Sequence, residues 1–146
     1  MAVANQTIQD SRYRTIVKTV SSGTTSAGSI LDVSGLTGHV TSPLGLVTIA
    51  KISWSLSSQA DILWDATSNV IAMSLNGNGN YGFMPGQPAL ANNAASANRT
   101  GDVLFTAGSA CVGFIVIEYH KVSDAQGFGW DWTDAALGPP QNQFGA

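Results

Sequence analysis

The chain has 146 residues, 44% of them hydrophobic and only 10% charged, with six Lys and Arg against nine Asp and Glu for a net charge of −3. That length fits one domain able to bury a core without metal or disulfides, and the single cysteine, Cys111, leaves no intrachain disulfide to form. Six scattered cations argue against the clustered basic surface that a phosphate backbone needs, and no stretch reaches the ~18 apolar residues of a membrane span.

An ordinary soluble domain carries about 25% charged residues, so something else covers this surface. Ser, Thr, Asn, Gln and 16 glycines are available. Two readings stay open: polar, uncharged loops, or a surface that faces other protein, where charge is costly to desolvate.

The N-terminus lacks the basic start and apolar run of a secretion leader. Alternation predicts a first strand over 12–20, a small-polar turn over 21–28 and a short strand over 29–34. After a loop at 35–43, the run LVTIAKISWSL (46–56) keeps period two, with Leu46, Ile52, Trp54 and Leu56 on one face. Val47, Ile49, Lys51, Ser53 and Ser55 take the other. Short strands follow at 60–65 and 69–75, joined by the turn 66–68. A Gly/Asn turn occupies 76–80, a strand end 81–84 and a loop 89–98.

A hairpin is predicted from 102–107 and 112–122, joined through Gly108, Ser109 and Ala110. Its second strand is apolar on both faces, with Val112, Phe114 and Val116 on one side and Ile115, Ile117 and Tyr119 on the other. A strand with two apolar faces is covered on both. The expected fold is therefore all-β, a β-sandwich or barrel, with Trp54 and Trp64 largely buried.

Chemistry-bearing motifs are weak. Residues 77–82 spell GxGxxG, but a dinucleotide loop must open a helix, and Phe83-Met84-Pro85-Gly86 does not start one. Turn glycines are the expected role. Glu118 and His120 share a strand face, yet no third ligand for a metal is evident. His39 stands alone in its loop. Asp61 and Asp65 lie roughly 13 Å apart along a strand, too far for a carboxylate pair working across a glycosidic bond at ~6.5–9.5 Å. No catalytic, cofactor-binding or metal site is expected, and no enzymatic activity.

The segment after Lys121 changes character. Phe128, Trp130 and Trp132 occupy alternate positions, so an extended chain puts all three on one face; Pro139-Pro140 then stops regular structure before Phe144. We divide the chain into a β domain at 1–122 and an extended C-terminal arm at 123–146. Three roles stay open for the aromatics: a last strand on the protein's own core, an arm docked on a neighbouring subunit, or a platform that stacks sugars. The expected partner-contact residues are Phe128, Trp130, Trp132 and Phe144.

Taken in order, Ile62-Leu63-Trp64-Asp65-Ala66, Ser74-Leu75-Asn76-Gly77-Asn78-Gly79, Pro88 to Ala94 (PALANNA), Thr100 to Thr106 (TGDVLFT) and Ile115-Val116-Ile117-Glu118-Tyr119 carry a resemblance. From about Lys51 to Lys121 the chain resembles small β-rich virion structural proteins of tailed phages, cyanobacterial and marine ones especially. Order and spacing carry the likeness, since each motif alone is of low specificity, and the Trp-rich tail departs from the pattern. The resemblance implies a jelly-roll-like particle component without catalysis, located in the virion after assembly in the host cytoplasm. It implies a capsid decoration (cement) protein, a trimer in contact with the major capsid protein. A neck or tail component, or a carbohydrate-binding tail module, is the alternative.

Overall fold

The computed structural model describes residues 3–39, 44–95 and 98–123. Seven strands make up almost all of it: β1 (Val3–Asp10), β2 (Arg14–Leu31), β3 (Gly45–Leu56), β4 (Ala60–Ala66), β5 (Val70–Leu75), β6 (Asn78–Tyr81) and β7 (Arg99–Ser123). A 3-10 turn at Val33–Gly35 is the only helical element among the described residues; the Asp32 carboxylate caps it by accepting from the Ser34 amide at 3.1 Å. The fold is all-β, as the alternation predicts.

All strands join one antiparallel sheet, with order β1-β2-β7-β3-β6 and with β4 bridging β7 to β5. Hydrogen bonding does not divide them into two separate sheets. The long strand β7 organises the whole. Along one edge it pairs with β2; along the other, residues 113–123 pair with β3 and residues 99–106 pair with β4. The two halves of the sheet send side chains into one core, with Ile49, Ile52, Ile115, Ile117 and Tyr119 from one and Ile30, Ile62, Trp64, Leu75 and Phe105 from the other. Each such side chain contributes about 1.5–3 kcal/mol by leaving water. Burial alone pushes the Tyr119 phenol far above its ordinary range.

Four expectations need correction, the last of them the burial of Trp54. Residues 102–122 are not a hairpin but a single strand, and Gly108, Ser109 and Ala110 form an exposed bulge in it. Between Thr25↔Ala107 and Gly23↔Cys111, these three residues of β7 stand opposite Thr24 alone. Nor are residues 21–28 a turn. They continue β2 as the partner of β7, because a long ladder overrides the weak strand propensity of Ser, Gly and Thr.

The third correction concerns β3. Its alternation breaks at Ala50, where the register with β7 slips between Ile49 and Lys51. One extra residue exchanges the two faces, so Val47 and Ile49 point inward before the bulge and Ile52 and Leu56 after it. Trp64 is buried as expected. Trp54 is only half-buried, its indole N–H donating to the Asn76 carbonyl at 3.2 Å.

A buried cation ties the ends of the sheet together. Lys121 is fully buried, and its Nζ donates to Asp10 Oδ1 at 2.7 Å, the Ser11 carbonyl at 2.6 Å and the Thr37 carbonyl at 2.8 Å. Burial opposes the Asp10 charge, but the Lys121 hydrogen bond and charge, with the Thr37 amide and hydroxyl, outweigh it. The carboxyl is held below its ordinary value.

Candidate interaction surface

Position 113 fixes which way β7 faces. Gly113 takes φ +152°, and a Cβ there would lie 1.9 Å from the Ser55 carbonyl oxygen of β3. Around it Cys111, Ile115, Ile117 and Tyr119 point into the core, while Val112, Phe114 and Val116 point outward. The register carries this outer face across the sheet, with Val20 of β2 and Ser55 of β3 flanking Phe114, and Lys18 and Ser53 flanking Val116.

Strand β2 explains why apolar groups lie outside. Its inward positions over 15–21 are Thr15, Val17, Thr19 and Ser21, all buried, and only Val17 is apolar. The three hydroxyls are satisfied by the Gln9 carbonyl at 2.9 Å, the Asn5 side-chain oxygen at 2.7 Å and the Cys111 carbonyl at 2.7 Å. The alternate residues, Ile16 and Val20, therefore face outward. Val112 is 59% exposed, and Phe114 and Val20 are each 42% exposed. Two shallow depressions meet at Val116, one lined by Val20, Val112 and Phe114 and the other by Ile16, Lys51 and Phe83. Val20, Phe114 and Val112 adjoin one another on the two longest strands, which sets them apart from scattered surface hydrophobics and makes this face the candidate interaction surface. Covering on both faces was expected of β7; among the described residues nothing covers this one.

One end of the stripe is charged. Glu118 Oε2 lies 2.8 Å from His120 Nε2, and Glu118 Oε1 lies 3.8 Å from Arg14 Nη1. Among the described residues no group of three His, Cys, Asp or Glu is placed to hold a metal. The other candidate groups serve the fold. Asp61 accepts from the Ser74 hydroxyl at 2.6 Å and Asp65 from the Thr100 hydroxyl at 2.7 Å, tying β4 to β5 and β7. His39 Nε2 meets the Gly45 carbonyl at 3.2 Å. The GxGxxG run forms a turn and β6, and Gly79 lies directly under the Trp54 indole, where a Cβ would come within 2.5 Å of the ring.

What this surface can do is bind apolar and aromatic groups beside cations. Lys51 Nζ already sits 5.7 Å from the Phe83 ring centroid. The expected contact residues Phe128, Trp130, Trp132 and Phe144 lie outside the described residues. Phe114 and Val20 are not among the expected contact residues; the outward parity of the apolar side of β7 is the sequence signal that points to Phe114. Comparisons with protein-family models, curated proteins and solved structures find no match to this chain.

Proposed function

We propose that this chain is a structural subunit of a tailed-phage particle, a decoration (cement) protein that grips its neighbours through the outer face of its sheet. The observation that carries the reading is the uncovered apolar stripe Val20–Phe114–Val112 on the two longest strands. A free-standing domain gains nothing from leaving Val20, Val112 and Phe114 in water beside a β2 interior that is mostly Thr and Ser, whereas a subunit that buries that face in an assembly does. The low charge fits the same role, and the resemblance between Lys51 and Lys121 supplies the particle type. The non-enzymatic, jelly-roll-like and trimeric character of the subunit belongs to this reading.

The test is binding to capsid shells that lack the protein, followed by co-sedimentation. The full chain is expected to bind stoichiometrically and Phe114→Asp to bind at least about tenfold more weakly. Equal binding by the two proteins, or none by either, overturns the reading.

A further inference from the structure

We propose that the outer face receives residues 124–146 of a second copy of this chain; this rests on the assembly role above and names one partner for the same face. Charge is the first argument. Residues 1–123 hold six cations and six acids, so the whole net charge of −3 lies in Asp124, Asp131 and Asp134 of the tail. The face offers the opposite sign. Its one acid, Glu118, is held by Arg14 and His120, while Lys18 and Lys51 make no ion pair with a described residue. Charges of opposite sign facing each other across a contact fix register, and like charges exclude wrong partners.

Spacing is the second argument. The face presents Val112, Phe114 and Val116 at every other position of β7, and the tail offers Phe128, Trp130 and Trp132 at the same period. An extended segment laid along the stripe sets three aromatics against three apolar positions.

Reach decides whose Phe128, Trp130 and Trp132 can sit on Val112, Phe114 and Val116. Phe114 lies nine residues before Ser123, about 30 Å away at ~3.3 Å per residue. Trp132 lies nine residues after Ser123, and reversing direction uses about four of those. A returning tail thus sets Phe128, Trp130 and Trp132 opposite residues 123, 121 and 119, short of Phe114, and only its residues from about 137 onward would reach that ring. A second copy carries no such limit. Each copy has one tail and one face, so tails pass from copy to copy, and closed assemblies run from a reciprocal dimer to rings such as the trimer.

The experiment uses the full chain with Phe114→Cys and Trp130→Cys made separately, mixed and oxidised mildly; the wild type controls for Cys111, which is buried. A disulfide joining the two variant chains, identified by mass spectrometry, is the expected product. Sedimentation should show Phe114→Asp and Trp130→Ala each raising the self-association constant for dissociation at least about tenfold, with melting of the separated subunits unchanged. A monomer-sized intrachain disulfide in the chain carrying both cysteines overturns the proposal in favour of the chain's own tail. No cross-link, with Phe114→Asp still releasing the protein from shells, overturns the tail as occupant and leaves the assembly role standing. Phe114→Asp without effect on either association or shell binding overturns both.

Discussion

Replacing Lys121 by Met removes a buried ammonium and leaves its three acceptors behind. Asp10 then keeps a carboxylate, and Ser11 and Thr37 keep carbonyls, that face a thioether instead of a donor. Breaking a buried pair by removing one partner costs about 3–5 kcal/mol. The Asp10 side chain is 20% exposed, so water recovers part of the loss and we expect the lower end, about 3 kcal/mol. Against a total stability of about 5–15 kcal/mol, and a urea slope of about 1–3 kcal/mol per M, the midpoint falls by about 1–3 M. Acid sharpens the test. In the wild type the Asp10 carboxyl titrates below its ordinary value. Its contribution is therefore fully present above about pH 4 and is lost as pH falls through the depressed value. In Lys121→Met, burial acts without its main counterweight, raises the Asp10 value and makes the folded state favour the proton. The deficit of the variant should shrink between pH 7 and pH 3. A deficit below about 1 kcal/mol, or one that stays constant across that range, would refute the reasoning.

Trp64 is 1% exposed between β5 and β7, so Trp64→Ala should cost about 3–5 kcal/mol in urea unfolding; a cost within about 1 kcal/mol would remove it from the core. Gly113→Ala forces a Cβ against the Ser55 carbonyl at a φ that L-residues rarely adopt. It should destabilise by at least about 2 kcal/mol, and hydrogen exchange should quicken along the β3–β7 ladder first. Asp102 is raised above its ordinary value by burial and by Asp32 and Asp65, against the Val33 amide that lowers it. Its charge is thus a cost above the raised value, relieved as pH falls through it. Asp102→Asn keeps an acceptor for the Val33 amide, 3.0 Å away, so it should melt no lower than wild type at pH 7. That advantage should fade below about pH 4.

The legible parts of this fold are those where local pattern and long-range pairing agree. The outward and inward sets of residues 112–119 follow from period two, and Trp64 sits where its apolar neighbours place it. Legibility ends where a distant partner decides. Residues 21–28 have turn chemistry in isolation and become strand because β7 lies beside them. The bulge at Ala50 leaves no mark in an unbroken apolar alternation, so the two faces of β3 cannot be assigned by counting. Strand β1 is polar and lies at an edge, with Asn5, Gln6 and Thr7 exposed, and gives almost no periodic signal. Lys121 reads as an ordinary strand-end charge; only its inward parity, shared with Tyr119, hinted that it enters the interior. The outer face was half legible, since the apolar side of β7 was visible but the polar interior of β2 that leaves it uncovered was not.

The assembly role of the outer face is tested most directly by hydroxyl-radical footprinting of Phe114 in the assembled particle and in the separated subunit. Ile71 on β5, 55% exposed and away from the stripe, serves as the internal reference. The expected result is strong protection of Phe114 on assembly with Ile71 unchanged; equal labelling of Phe114 in the two states would contradict the account.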